Sequence, residues 1–408
     1  MNTKLFTLCI LGFFLNMMPD ALAGVANDVH VIPQPLKMER QPGNFKLNSS
    51  TQLISSSATK EIAELFAAMI KAPTGYAMKH STSGSTGVQL SINKTPNAAI
   101  GTEGYTLEVT PAKINIRANK PAGLFYGMQT LMQLLPKEIE SSILVKNKSW
   151  SVPCIKITDY PRFGWRGLML DVSRHYFPKE MVKKYINQLA KYKMNVFHWH
   201  LTDDQGWRIE IKSLPKLTEI GAWRAPRVGL WWTRPPQGPD EPATDGGFYT
   251  QEDVKEIVKY AQKRFVTILP EIDVPGHSLA ALAAYPELSC TGKAYKVNVG
   301  NLFYGIDDNA LCPGNDQSYD FMKKVNDGVS EVFPGQFIHI GGDECFKGFW
   351  KDCSKCQKRM ADEKLKSVDE LQSYFIRKME ALLKANGKKL MGWDEILEGG
   401  LAPDANVM

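Results

Sequence analysis

The stretch Phe337–Glu344 reads FIHIGGDE, a short apolar strand that runs into two glycines and then into two adjacent carboxylates. Glycine lets the backbone turn sharply, so this turn presents both acidic side chains at the carboxyl end of the strand. The same pattern recurs from about residue 161 onward, where apolar runs end in polar groups and amphipathic helices follow. The polar groups at the ends of the runs are Asp171 and Arg174; His200, Asp203 and Asp204; Glu271, Asp273 and His277; Asp343 and Glu344; and Asp394 and Glu395.

Repeated βα units of this kind predict an α/β fold with parallel strands and right-handed crossovers. Functional groups contributed by several strands at one face favour a (β/α)8 TIM barrel over a doubly wound sheet. We count five units, and residues 405–408 read as the start of a sixth strand. Because a closed barrel has eight strands, we expect a barrel that is incomplete in this chain, with about five to six strands. Either the sequence is truncated or something else completes the sheet. The strand-like runs are 167–170, 195–201, 266–272, 337–340 and 389–393, and the helices are 179–192, 251–263, 319–332 and 368–385.

The part of the chain before the barrel predicts a small α+β domain in which nothing looks chemical. Alternation over 105–117 predicts a β-hairpin, and apolar spacing predicts helices over 60–71 and 121–135. We place this domain at residues 24–152 and the barrel domain at 153–408.

The N-terminus predicts export. Lys4 precedes an apolar run over 5–18, and the sequence ALA at 21–23 precedes Gly24, which is typical of a secretory signal peptide at residues 1–23. We therefore expect an extracytoplasmic protein, periplasmic or secreted, with no membrane span. The 49 Lys and Arg residues against 43 Asp and Glu give a net charge of +6 without a basic block, so we expect no nucleic-acid partner.

Six of the seven cysteines lie outside the predicted signal peptide. In an oxidising compartment we prefer a disulfide between Cys290 and Cys312, which bracket a Gly- and Asn-rich loop. Cys353 and Cys356 have CxxC spacing with Cys345 upstream, which leaves a zinc knuckle open. We favour a bridge or free thiols over metal there, and we expect no cofactor and no metal.

Adjacent carboxylates in a partly desolvated pocket repel each other, so one of Asp343 and Glu344 can stay protonated near neutral pH while the other is ionised. This acid beside an anion is what cleavage of a glycosidic bond needs. A solvated loop end is the ordinary alternative for an Asp-Glu pair, and the two preceding glycines and the aromatic-rich surroundings argue against it.

Four motifs in this order resemble glycoside hydrolase family 20, the β-N-acetylhexosaminidases: GLMLDVSR at 167–174, FHWHLTDDQGW at 197–207, PEIDVPGH at 270–277 and HIGGDE at 339–344. The resemblance extends from about residue 30 to the end. It implies an exo-acting enzyme that removes terminal non-reducing N-acetyl-D-hexosamine from oligosaccharides or glycoconjugates. It also implies a substrate-assisted, retaining mechanism, in which the 2-acetamido oxygen of the substrate attacks the anomeric carbon and forms an oxazolinium intermediate.

The resemblance also implies roles for individual residues. Asp343 matches the residue that orients the acetamido group and balances its positive charge, and Glu344 matches the general acid. Asp203 and His277 match a relay toward that acid, although a histidine at this position is also able to act as a simple cap.

Two further residues match sugar contacts of the family. Arg174 matches the residue that holds ring hydroxyls, with a structural ion pair to Asp171 as the alternative. Trp393 matches a wall of the acetamido pocket. The family completes that pocket with further tryptophans, a tyrosine and an acidic residue from later strands, which this sequence does not contain. Whether the sugar is GlcNAc or GalNAc, and the oligomeric state, stay open.

Two other functions compete with this interpretation. One is a metal-dependent barrel hydrolase that uses His198, His200, His277 and His339 with an aspartate. The other is a carbohydrate-binding fragment with impaired catalysis, which the missing strands suggest.

Overall fold

The structure is a computed structural model, which describes residues 29–301 and 308–408. The predicted signal peptide lies outside the described residues. The chain divides into two compact units between Tyr160 and Pro161. A boundary at 152/153 would cut the strand Trp150–Asp159, which pairs with strands of the first unit on both sides. The first unit therefore extends eight residues further than we predicted from the sequence.

The first unit is a seven-stranded mixed sheet with two helices. Its elements are β1 Lys37–Leu47, β2 Gln52–Ile54, α1 Lys60–Thr74, β3 Lys79–Ser81, β4 Gly87–Ile92, β5 Tyr105–Val109, β6 Lys113–Ala118, α2 Pro121–Leu134 and β7 Trp150–Asp159. The strand order is β1-β7-β5-β6-β4-β2-β3. Neighbouring strands pair in parallel from β6 through β4 and β2 to β3, and the other neighbours pair antiparallel. The predicted hairpin is β5–β6, and both predicted helices are present.

The second unit contains the elements β8 Gly167–Asp171, α3 Lys179–Lys191, β9 Val196–Asp203, β10 Gly206–Trp207, α4 Lys216–Glu219, β11 Trp223–Arg224, β12 Asp245–Gly246, α5 Gln251–Gln262, β13 Thr267–Ile272, α6 Leu279–Ala284, α7 Asp316–Val332, β14 Phe337–His339, α8 Gly348–Asp352, α9 Ser354–Asp362, α10 Val368–Ala385, β15 Lys389–Gly392 and β16 Asn406–Val407. Six of its strands form a parallel sheet in the order β8-β9-β13-β14-β15-β16, and the short β10 pairs antiparallel with β9.

These elements form the βα succession of a TIM barrel, with six of its eight parallel strands in the described chain. The predicted fold class is therefore confirmed, including a sixth strand at the predicted place. Strand β9 is buried along its whole length, as expected for a parallel strand covered on both faces. Among the described residues, no helix has the length and apolar character needed to cross a membrane.

Candidate active site

The parallel register brings the polar strand ends into one row. Asp171 on β8 is level with His200 on β9, His200 is level with Glu271 on β13, and Glu271 is level with His339 on β14. Four neighbouring strands thus present titratable side chains at the same height. In a barrel, catalytic residues come from this carboxyl end of the strands.

Two glycines shape the turn that follows β14. Gly341 and Gly342 have φ of 65° and 93°, in the region that favours glycine. A Cβ on Gly341 would lie 1.8 Å from Oδ1 of Asp273, and one on Gly342 would lie 2.4 Å from the side chain of Ile396. The turn is therefore closed to other residues, and it carries Asp343 directly into the site.

His277 lies between two pairs of carboxylates. Its Nδ1 is 3.3 Å from Asp203 and 3.6 Å from Asp204, and its Nε2 is 3.7 Å from Asp343 and 3.5 Å from Glu344. The imidazole thus connects the buried Asp203 with the two acids of the turn. This arrangement brings four of the predicted site residues together around one imidazole.

The pKa values of the two acids of the turn shift in opposite directions. Burial lowers the pKa of His277, but the charges of Asp203 and Asp273 raise it well above its usual value. Contact with this histidine lowers the pKa of Glu344, whereas burial raises the pKa of Asp343. The two shifts thus favour the ionised form of Glu344 over that of Asp343 in the free site. The Glu344 side chain is also the more exposed of the two, at 53% against 24%.

Arg174 is anchored by two carboxylates. Its Nη1 lies 2.8 Å from Asp171, and its Nη2 lies 2.7 Å from the buried Asp203. The predicted ion pair with Asp171 is therefore present, and it coexists with an orientation toward the site. A guanidinium has five N–H donors, so these two contacts leave donors for a ligand.

The centre of the hydrogen-bond network is Glu271, a residue to which our sequence analysis gave no role. Its Oε2 lies 2.7 Å from His198 and 2.6 Å from His200, and its Oε1 lies 3.0 Å from His339 and accepts from the Trp393 indole at 3.0 Å. Burial raises the pKa of this carboxyl, but His200 and the hydrogen bonds lower it well below its usual value. Trp393, predicted as a wall of the sugar pocket, is held in place by this buried anion.

Two further aspartates support the site. Asp204 accepts from the Leu279 N–H at 3.0 Å and from the Asn309 side chain at 2.9 Å, which ties together two segments that follow β13. Asp273 is buried, and burial together with the neighbouring carboxylates raises its pKa well above the usual value. Asp273 thus lies buried beside the glycine turn.

The four histidines of the metal-hydrolase alternative fall into two groups. His198, His200 and His339 surround Glu271, whereas His277 lies with the aspartates and Glu344. Four side chains contact the carboxylate of Glu271: His198, His200, His339 and Trp393. This separation does not favour the four-histidine metal cluster of that alternative.

Cys290 and Cys312 are free thiols in the structure rather than the predicted disulfide. Both lie in a cluster with Cys353 and Cys356, in which all four sulfur atoms are within 4.8 Å of one another. The sequence argument considered only the loop between the first two cysteines, and the fold brings the CxxC pair equally close.

Comparison with protein families identifies two matching models. The catalytic domain of glycosyl hydrolase family 20 matches residues 163–408, and domain 2 of the same family matches residues 28–160. The first match covers more than half of the chain. It includes every site residue described above.

Individual relatives agree with this family. The chain is 44% identical to a β-hexosaminidase of Porphyromonas gingivalis over 93% of its own length and 47% of that protein. A β-hexosaminidase of Vibrio furnissii is 40% identical, over 92% of this chain and 58% of that protein. The chain thus spans about half the length of the curated relatives it matches.

Solved structures give the same result. A GH20 β-N-acetylhexosaminidase from Streptomyces coelicolor superposes with a TM-score of 0.77 and 32% identity, covering 92% of this chain and 68% of that one. A GH20 exo-β-N-acetylglucosaminidase from Vibrio harveyi, solved in complex with N-acetylglucosamine, has a TM-score of 0.78 and 33% identity, covering 92% of this chain and 56% of that one. Together with the family models, these similarities show that the chain belongs to glycosyl hydrolase family 20.

Proposed function

We propose that this site hydrolyses terminal, non-reducing β-linked N-acetylhexosamine residues by the substrate-assisted, retaining mechanism. The observation that carries the proposal is the contact of His277 with both acids of the glycine turn, at 3.5 Å from Glu344 and 3.7 Å from Asp343. A related structure supports the substrate class, since the GH20 exo-β-N-acetylglucosaminidase from Vibrio harveyi was solved in complex with N-acetylglucosamine.

In the first step, the acetamido oxygen of the substrate attacks its own anomeric carbon, and the glycosidic C–O bond breaks. The leaving oxygen takes a proton from Glu344, and the sugar becomes a cyclic oxazolinium. Asp343 accepts a hydrogen bond from the acetamido N–H and balances the positive charge that develops. In the second step, water attacks the anomeric carbon and gives a proton to Glu344, which restores the acetamido group and the original configuration.

The proton for the first step is held by the pair of His277 and Glu344. In the free site it resides on the histidine, as the directions of the two pKa shifts indicate. A bound sugar removes water from the exposed Glu344 carboxylate, and desolvation raises the pKa of a carboxyl. The proton then moves from His277 Nε2 to Glu344, and Asp203 keeps the imidazole oriented through Nδ1.

Arg174 and Trp393 hold the sugar. The free N–H groups of the guanidinium suit the ring hydroxyls, because their planar fork fixes the direction of the hydrogen bonds. The indole face of Trp393 suits the acetamido methyl group. Its orientation depends on the bond to Glu271, at 3.0 Å from the indole nitrogen.

The place of action is part of the same proposal. A signal peptide at residues 1–23 would direct the protein to the periplasm or the exterior, where oligosaccharides and glycoconjugates are accessible. Comparing precursor and exported protein by N-terminal sequencing tests this part, with a first residue near Gly24 as the expected result.

The test is the release of p-nitrophenol from p-nitrophenyl N-acetyl-β-glucosaminide and from its galacto epimer. Glu344→Gln is expected to lower turnover by about 100- to 10,000-fold, the contribution of a positioned general acid. Glu252→Gln, on a surface helix, serves as the control. A substrate with a trifluoroacetamido group, whose oxygen is a weaker nucleophile, must react more slowly. Equal rates for the acetamido and trifluoroacetamido substrates would refute substrate assistance. Sugar binding without turnover would support the alternative of a carbohydrate-binding fragment.

A further inference from the structure

Four cysteines of the second unit meet outside the catalytic site. Cys290 lies after α6, Cys312 precedes α7, and Cys353 and Cys356 lie at the start of α9. Their sulfur atoms are all within 4.8 Å of one another, with separations of 3.7 Å for Cys290–Cys356, 3.8 Å for Cys312–Cys353 and 3.5 Å for Cys312–Cys356.

These separations match a tetrahedron of thiolates around one metal ion. With zinc–sulfur bonds of about 2.3 Å, the sulfur–sulfur edges of such a tetrahedron are about 3.8 Å. A disulfide requires about 2.05 Å between one pair of sulfurs. We propose that Cys290, Cys312, Cys353 and Cys356 bind one zinc ion in a closed structural site.

The backbone holds the cysteines in place independently of their sulfur atoms. The Cys290 N–H donates to the Asp308 carboxylate at 2.8 Å, and the Cys312 N–H donates to the Leu288 carbonyl at 2.9 Å. Gly314 allows the two segments to approach, because a Cβ there would lie 2.3 Å from the Cys356 nitrogen. The ligands are thus already positioned around a common centre.

The cluster is also shielded from solvent. Cys312 and Cys356 have no exposed surface, and they pack with buried apolar side chains: Ala310, Trp350, Leu371 and Tyr374. Thiolates in such surroundings need a compensating charge, which a divalent cation supplies. Binding releases the four thiol protons to solvent and involves no oxidation. With four protein ligands, the site keeps no open position for a substrate, so its role is structural.

The ion would connect two segments that also carry site residues. Cys290 and Cys312 belong to the segment after β13, which also carries His277, and Cys353 and Cys356 belong to the segment after β14, which also carries Glu344. A common metal would fix the spacing of these two segments. The inference does not depend on the proposed function, because its test measures metal and thiols.

The experiment uses the full chain, purified without reductant or added metal. Zinc is measured by plasma mass spectrometry. Thiols are counted with a thiol reagent in the folded protein before and after chelation, and the total is then counted in denaturant. We expect one zinc per chain and four thiols that react in the folded protein only after the metal is removed. Two disulfides would overturn the proposal. They would appear as four missing thiols in denaturant and as a protein mass lower by two hydrogens for each bridge. Four free thiols that fail to take up added zinc would do so as well.

Cobalt gives a second readout. Co²⁺ added to the zinc-free chain is expected to produce the near-ultraviolet absorption of thiolate-to-cobalt charge transfer, with a one-to-one endpoint. Cys353→Ser and Cys356→Ser are expected to abolish the stoichiometric zinc and lower the melting temperature. Cys154→Ser, a buried cysteine of the first unit, should keep one zinc per chain. If a cluster variant fails to fold, the metal and thiol counts of the unmodified chain still decide the question.

Discussion

Replacing Glu271 with glutamine tests whether the charge of this buried carboxylate holds the site together. Oε2 contacts His198 and His200 at 2.7 and 2.6 Å, and Oε1 contacts the other two side chains, His339 and Trp393, at 3.0 Å each. Glutamine keeps the shape and one acceptor oxygen. Its amide nitrogen, however, would present N–H groups to ring nitrogens that now face an anion.

The size of the effect follows from these contacts. Burial lowers the pKa of His200, but the charges of Glu271 and Asp203 raise it well above its usual value, so this histidine is an imidazolium. The substitution therefore breaks a buried ion pair from one side. Leaving a buried charge without a partner costs about 3–5 kcal/mol. His200 keeps Asp203 at 2.9 Å after the substitution, so we expect the free energy of unfolding at neutral pH to fall toward the lower end of that range.

Urea unfolding followed by tryptophan fluorescence measures this loss, and its pH dependence identifies the cause. The folded-state pKa of Glu271 is lowered, so its stabilising contribution is complete above the value of about 4.3 that glutamate has when unfolded. The contribution is lost as the pH falls through the lowered pKa, so the gap between the two proteins must narrow in acid. Glu252→Gln, whose side chain is 76% exposed beside Lys255, should change stability by less than about 1 kcal/mol. An equally small loss for Glu271→Gln would refute the reasoning.

Two other substitutions test the relay and the turn. Asp203→Asn removes the carboxylate that lies 3.3 Å from His277 Nδ1, and this lowers the pKa of the histidine. We therefore expect the alkaline limb of the pH profile of kcat/KM to move to lower pH. An unchanged limb would contradict the relay. Gly341→Ala places a Cβ 1.8 Å from the Asp273 carboxylate at a φ of 65°, and thermal melting should show a larger loss than Gly387→Ala. That control has a φ of 70° with nothing within 4 Å, so it carries only the backbone cost of about 1–2 kcal/mol.

Much of the fold could be predicted because the spacing of apolar residues along the sequence distinguishes its helices from its strands. The helix predicted over 368–385 is α10 with the same bounds, and the start of a sixth strand at 405–408 is β16. Helix α9 was missed for a physical reason. Cys356 is its single buried residue, so the helix has no apolar stripe, and its place depends on contacts with distant parts of the chain.

The sequence predicted most residues of the site but not the contacts between them. The motifs pointed to Asp343, Glu344 and His277, and the fold brings them together with Asp203. The role of Glu271 was missed, although a signal existed: it is a carboxylate inside the otherwise apolar strand β13. A buried charge must be paired, and the alternating histidines of β9 were the available partners.

The location of the proton depends on burial, which spacing along the chain does not reveal. Asp343 and Glu344 are neighbours, yet the first side chain is largely enclosed and the second is half exposed. Repulsion between adjacent carboxylates predicts one proton for the pair. The raised pKa of His277 and the lowered pKa of Glu344 instead favour the proton on the histidine, which lies within 3.7 Å of both acids. An acid whose proton is stored on a histidine becomes active only when substrate removes water from Glu344. Cleavage then requires that the pair of His277 and Glu344 holds one proton. Asp203 does not contact the leaving group, yet its substitution must alter the pH dependence of cleavage, because Asp203 raises the pKa of His277.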